Sequence, residues 1–333
     1  MKRAEFWKKI KGRKVQCELC PHYCVIKEGE CGKCKVRKNV GWKLYALNYD
    51  YPVSTNIDPI EKKPLFHFFP GSKSFSIGMA GCNLRCDHCQ NYLISQKGSE
   101  EFCMKKFKVI DVVKKAVESG CKSISYTYTE PLVSYEYIIE IMMLAKKKGL
   151  KNVIVSNGFI NPEPLKKLCE YIDGANIDLK AMSDEFYRKN CGGRLKPVLE
   201  SLRLLKKNKI WLEVTNLLIP GKNTNEQQIK KLINWVGENL GKNVPLHFSG
   251  FFPTYKLSNL EPTSKKILNK SLKIGKEKMK YVYVGNIRDE EGENTICPKC
   301  GEIVIDRSGY EIIYNKLKKG ECLCGKKISG VWE

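Results

Sequence analysis

The stretch from Ser74 to Asn91, SFSIGMAGCNLRCDHCQN, decides how the rest of the chain is read. Ser74 to Met79 is a short apolar run of the kind a buried strand makes, and Gly81 breaks it. The loop that follows presents Cys82, Cys86 and Cys89, with three and then two residues between them. A structural zinc site wants four ligands, usually as two separated pairs of cysteines two residues apart. Three thiolates in one tight loop can instead hold three corners of a 4Fe-4S cubane and leave the fourth iron without a protein ligand. An open iron is a place for chemistry.

Outward from this loop, strand-like and helix-like segments alternate from Ser74 to Arg288, the pattern of a parallel α/β architecture. Strands are expected at 74–79, 122–128, 152–156, 175–180, 210–216, 244–249 and 280–285. Amphipathic segments such as VIDVVKKAVESG and YEYIIEIMMLAKKKG lie between them, with Met142 and Met143 expected in the core. In such sheets ligands gather at the C-terminal ends of the strands. In ANIDLKA, period-2 alternation puts Asn176, Asp178 and Lys180 on one face, which suits a wet lumen; a strand buried on both sides would be apolar throughout. The same alternation groups Tyr126, Tyr128 and Glu130 in SYTYTEP, and His247 with Ser249 in PLHFSG. SNG, with Asn157, and EVTNLLIPG supply two further polar strand ends.

Twelve of the sixteen cysteines fall in three clusters; Cys103, Cys121, Cys169 and Cys191 stand apart and read as buried or inert thiols. Before the loop come Cys17, Cys20, Cys24, Cys31 and Cys34, where spacing alone pairs Cys17 and Cys20 with Cys31 and Cys34 around a tetrahedral zinc. Tyr45 to Gly71 is Pro-rich, an ordered crossing or a linker, in which Asp58, Glu61 and His67 could line a substrate mouth but read first as solvated loop residues. In the tail, Cys297 and Cys300 are separated from Cys322 and Cys324 by a hairpin-like stretch, the outline of a zinc ribbon or rubredoxin-type knuckle pair. The second pair is one residue short of the usual spacing. The resulting chain has three parts: a Cys-rich module with a linker (1–70), a partial (β/α) barrel (71–292) and a Cys-rich module (293–333).

The formal charge of +23 invites a nucleic-acid reading. Against it, the cations are mostly Lys, spread along helices as ordinary solvated faces, and occupied thiolate sites would subtract roughly five charges. The sequence has no stretch near the roughly 20 apolar residues of a membrane span, and MKRAEFWKKIKGRK lacks the apolar segment of a signal peptide, so a cytoplasmic protein is expected. Many cysteines in such a protein suggest metal thiolates before disulfides.

The Cys82–Cys86–Cys89 loop resembles that of the radical S-adenosylmethionine (SAM) superfamily. That resemblance implies a 4Fe-4S cluster whose open iron is chelated by SAM, and reductive cleavage of SAM to a 5′-deoxyadenosyl radical that abstracts hydrogen from a substrate. His88 stands where the family has an aromatic residue that contacts adenine. TEP, Thr129 to Pro131, corresponds to a GGEP-like turn holding the amino group of SAM, with Thr129 in place of a glycine and Glu130 next to it. Asp178 and Lys180 match the DLK segment, and His247 a late-strand histidine, of the pyruvate formate-lyase-activating enzymes. The N-terminal segment is similar to the front end of a related branch, and on that pattern Cys17, Cys20, Cys24 and Cys34 form the set with Cys31 extra, for zinc or an auxiliary Fe-S cluster. DPIEKKPLFHFFPG and YVYVGNIR look like segments of the radical SAM protein of the AmmeMemoRadiSam system, where Asn286 could close the site. This kinship implies a low-potential ferredoxin or flavodoxin as electron donor and a separate protein as substrate. The rival readings are a zinc-ribbon nucleic-acid-binding protein, an electron carrier, and a radical enzyme acting on RNA or a small metabolite.

Overall fold

The computed structural model describes residues 1–287 and 292–333, so Arg288, the last residue of YVYVGNIR, lies outside the described residues. An eight-stranded sheet is laid down in chain order: β1 (Pro52–Pro59), β2 (Lys73–Met79), β3 (Ser123–Tyr126), β4 (Lys151–Ser156), β5 (Gly174–Asp178), β6 (Trp211–Leu218), β7 (Leu246–Gly250) and β8 (Val282–Gly285). From β2 to β8 every neighbouring pair is parallel. Each crossover carries a helix: α1 (Val109–Glu118), α2 (Tyr135–Lys147), α3 (Pro162–Cys169), α4 (Leu195–Lys207), α5 (Glu226–Asn239) and α6 (Lys265–Lys276). The helices form where apolar residues recur at helical spacing; α1 buries Val112, Val113 and Ala116. Side-chain caps start the last two, Asn225 accepting from the Gln228 N–H and Ser264 from the Ile267 N–H. The parallel α/β architecture that the alternation predicts takes the form of the expected partial (β/α) barrel.

Alternate strand residues sort to two faces. Phe75, Ile77, Met79, Ile124, Ile154 and Val214 join the helices in the main core. On the lumen side, Ile60, Leu65, Phe68 and Phe69 plug the barrel beneath β4, packed on Val153. Gly174 is glycine because Phe68 fills its side-chain space: a Cβ there would stand 3.0 Å from the ring.

The Pro-rich crossing is ordered, and it supplies the sheet's antiparallel edge. β1 pairs with β2 from Pro52↔Met79 to Pro59↔Lys73. Proline is tolerated there because an edge strand has one row of N–H groups with no ladder to join. The three polar residues expected to be solvated are buried. Asp58 takes an ion pair from Lys63 at 2.6 Å, Glu61 accepts the Gly71 N–H at 2.9 Å, and the His67 ring is bonded to the Ser329 carbonyl at 2.6 Å and the Tyr283 hydroxyl at 2.5 Å.

The N-terminal module is two three-stranded antiparallel sheets, held to α2 by a buried Arg37–Glu136 ion pair of 3.0 Å. It also leans on the cysteine loop. Gly81 has φ +92°, and a Cβ on it would lie 2.5 Å from the Cys34 carbonyl oxygen. The C-terminal module, with strands Thr295–Ile296, Ile303–Ser308 and Glu311–Asn315, is locked on by Arg307. This buried guanidinium donates to the Phe66 carbonyl and the Thr295 hydroxyl, each at 2.8 Å, and sits 4.3 Å over the Phe66 ring. Arg307→Ala leaves both acceptors and Glu61 without it, and is expected to lower stability by about 2 kcal/mol in urea titration; an unchanged midpoint would show that the contact holds nothing. Among the described residues no helix is long and apolar enough to cross a membrane.

Candidate active site

The C-terminal ends of the parallel strands open on one cavity of about 570 Å³, within the usual size of a small-molecule site. It is lined by Cys82, Cys86, Cys89 and His88 after β2, Thr129 and Glu130 after β3, Asn157 after β4, Asp178 and Lys180 at the end of β5, and His247 on β7. The structure therefore brings together every residue that the sequence reading placed near the cluster and SAM. Asn286 lines it too, its amide donating to the Gly250 carbonyl at 3.2 Å. Asn176 lies one step deeper, bonded to the Pro64 carbonyl at 2.7 Å.

One grouping fails. β3 stops at Tyr126 and Tyr128 takes φ +69°, so the alternation restarts. Tyr126 faces the helices and donates to Asn152 Oδ1 at 3.0 Å, while Tyr128 and Glu130 enter the cavity. Glu130 is clamped from three sides, by the Leu132 N–H (3.1 Å), the Ser156 hydroxyl (2.8 Å) and the Asn157 N–H (2.8 Å). Burial outweighs these donors and pushes its pKa up to about 7.

The cysteine loop is held by hydrogen bonds to its sulfurs: the Leu84 N–H at 3.4 Å and the Asn157 amide at 3.7 Å reach Cys82, and Ser95 lies 3.2 Å from Cys89. A π-helical turn, Tyr187–Cys191, braces it from outside, its Cys191 and Asn190 carbonyls accepting the Arg85 and Asp87 N–H groups at 2.8 Å each. Such turns recur at functional sites. Cys191, read as an inert thiol, is thereby set against Cys86, and with His88 the three ligand atoms lie within 4.8 Å of one another. Burial works against the charged form of Lys180, but Asp178, paired with it at 2.9 Å, and the thiols of Cys86 and Cys191 outweigh that, and its pKa is raised.

Two observations test whether an iron–sulfur cluster and a ligand fit here. Among the described residues the sulfurs of Cys82, Cys86 and Cys89 do not all lie within 4.8 Å of one another; that is wide for one ion, whereas a cubane spreads its thiolates over separate irons. His88 is buried with both ring nitrogens unpartnered, and Thr215 Oγ1, which also lines the cavity, has no partner. Burial lowers the His88 pKa to about 3, so its ring is neutral. Buried polar atoms without partners are what a bound polar molecule would satisfy. Lys63 and Tyr310 were not anticipated as lining, whereas Thr215 belongs to EVTNLLIPG, a strand end read as polar.

The tail cysteines converge as their spacing suggests. Cys297, Cys300, Cys322 and Cys324 have all four sulfurs within 4.8 Å. The short second pair still closes, because the Gly325 N–H bonds the Cys322 carbonyl at 2.8 Å and Gly325 takes φ +79°. Cys17, Cys20, Cys24 and Cys34 line a separate small cavity, and Cys31 is exposed outside it.

A partial parallel barrel with a three-cysteine loop after its first parallel strand and a ligand cavity at the same edge defines the class: α/β barrels with a cysteine-lined site at the C-terminal edge of the sheet. Residues 76–236 match the Radical SAM superfamily. The chain is 44% identical over 332 residues to the uncharacterized protein MJ0808 of Methanocaldococcus jannaschii, covering 98% of this chain and 99% of that one. It is 27% identical over 180 residues to the pyruvate formate-lyase-activating enzyme of Listeria monocytogenes, covering 50% of this chain and 70% of the other. In fold it is similar to Streptococcus suis SuiB bound to the precursor peptide SuiA, with a TM-score of 0.50 and 13% identity over 68% of this chain and 51% of that one. Residues 76–236 form a radical SAM domain.

Proposed function

We propose that this chain is an activase-like radical SAM enzyme that abstracts hydrogen from a carbon of a separate protein. The observation that carries the reading is the convergence of the three loop cysteines with His88, Thr129, Glu130, Asn157, Asp178, Lys180 and His247 on one cavity. Cys82, Cys86 and Cys89 would hold a 4Fe-4S cluster, and Thr129, Glu130, His88, Asp178 and Lys180 would hold SAM. When bound, this pair supplies a 5′-deoxyadenosyl radical by one-electron reductive cleavage. The chain's own work is positioning and exclusion of water, since a primary alkyl radical attacks any C–H bond within reach. Phe66, Leu217 and Val155 give the cavity apolar wall between its polar groups.

A protein substrate and a ferredoxin or flavodoxin donor are supported by the likeness to the activating enzymes and by the segments resembling the AmmeMemoRadiSam radical SAM protein. The four tail cysteines would hold zinc, whose bonds of about 2.3 Å suit their tight spacing. Product analysis after anaerobic reconstitution with SAM and dithionite tests the reading. 5′-Deoxyadenosine and methionine are expected; reversible redox cycling without either product would leave an electron carrier instead.

The Asn157 amide offers a finer test. A hydrogen bond to Cys82 stabilises the extra negative charge of the reduced state, so its loss makes reduction harder. Asn157→Ala is expected to lower the cluster potential by about 40 mV, the equivalent of roughly 1 kcal/mol for one electron. EPR-monitored redox titration reads this directly, and an unmoved potential would remove Asn157 from the cluster's surroundings.

A further inference from the structure

Three sets of cysteines in one chain allow their spacings to be compared. A zinc tetrahedron with bonds of about 2.3 Å sets its sulfurs about 3.8 Å apart. The tail set matches: Cys297 to Cys324 and Cys300 to Cys322 are both 3.7 Å. Cys17, Cys20, Cys24 and Cys34 do not match. They wall one cavity, yet among the described residues no three of these sulfurs lie within 4.8 Å of one another. Cys82, Cys86 and Cys89 likewise form no such close trio among the described residues.

The cavity also has an unused donor. Arg37 borders it, is 1% exposed, and has its Nε without a partner, although its other nitrogens pair with Glu136 and the Glu5 carbonyl. A sulfur-rich anionic group between the thiolates would accept that N–H. Gly32 keeps the space open, since a Cβ there would meet Ile26 Cδ1 at 3.2 Å and Cys24 Sγ at 3.6 Å.

We propose that Cys17, Cys20, Cys24 and Cys34 hold an iron–sulfur cluster rather than zinc, and that this module is the electron entrance to the radical loop. The two sites share a wall. Asn83 borders the N-terminal cavity, its carbonyl meets His22 Nε2 at 2.7 Å, and its Oδ1 accepts from the Asn157 amide at 2.9 Å, the same amide that reaches Cys82. A low-potential one-electron protein donor loses one electron at the module, and the radical loop gains it; no bond or proton moves. The metal assignment stands by itself, whereas the entrance role rests on the proposed function.

Metal analysis of anaerobically purified Cys82→Ala/Cys86→Ala/Cys89→Ala protein tests the assignment. About two to four iron atoms with matching sulfide and about one zinc are expected; about two zinc and no iron would overturn it. Should that variant not fold, Cys17→Ser/Cys20→Ser is expected to lose the same iron while the SAM-dependent change in the remaining EPR signal persists, and an unchanged iron content would overturn it equally. Absence of deoxyadenosine from the wild type with dithionite would sink the proposed function and leave the iron count standing. For the entrance, Cys17→Ser/Cys20→Ser is expected to lose more than tenfold of the flavodoxin-driven reaction while keeping most of the dithionite-driven one. Equal losses with both reductants would remove that role.

Discussion

Cys86→Ala is expected to cut deoxyadenosine formation from SAM by more than about 100-fold, because even an outer partner of a metal ligand is worth 10–100-fold and Cys86 is assigned as a ligand itself. Iron bound at the loop should fall with it. The informative comparison is Cys191→Ala. Cys191 is buried against Cys86 and, with His88, makes a tight three-atom group. If the loop supplies the ligands, removing Cys191 leaves all three in place and the reaction survives within about tenfold. If Cys86 and Cys191 instead serve a single ion with His88, both variants lose the metal alike and neither wild type nor Cys191→Ala makes product. Product from Cys86→Ala at a near wild-type rate would sink the enzymatic reading.

Local pattern located the site wherever the chemistry was local. Alternation along ANIDLKA placed Asp178 and Lys180 in the lumen, and both line the cavity, Asp178 as the last residue of β5 and Lys180 two residues beyond it. The identical argument misplaced Tyr126, since a single residue at positive φ, Tyr128, shifts the face of everything after it and leaves no mark in hydrophobic period. Helical spacing put Met142 in the core correctly, but Met143, one residue on and so rotated by a large fraction of a turn, is 40% exposed. The charged residues of the Pro-rich crossing were misread for a different reason. Glu61 is buried facing Arg307, and His67 is buried between Tyr283 and Ser329, partners more than 200 residues away. A short-range reading prices such groups as if water were their only partner.

The largest effect on stability is expected from Glu213, in the middle of the β6 lumen face. Its carboxylate is fully buried and accepts four donors: the Phe66 N–H at 3.0 Å, the His67 N–H at 2.8 Å, the Trp211 indole N–H at 3.0 Å and His247 Nε2 at 2.6 Å. Through them it ties the plug to β6 and β7 directly below the cavity. Glu213→Ala leaves three buried donors and the half-buried Trp211 indole without an acceptor, and should cost about 3–5 kcal/mol in urea or thermal unfolding. Burial alone would raise the Glu213 pKa, but the His247 bond and charge, with His67 and Trp211, overcome it and hold it below the ordinary carboxylate value. A depressed folded-state pKa means that the unfolded chain binds the proton first. The stabilisation is therefore complete above the ordinary carboxylate range and is lost as the pH falls below it, through the lowered folded value. Wild type should accordingly lose more stability than Glu213→Ala on acidification from about pH 6 to about pH 3, so that the two curves converge. Parallel curves, or a cost under about 1 kcal/mol at neutral pH, would mean that water replaces the carboxylate and that the plug is held by its aromatic packing alone.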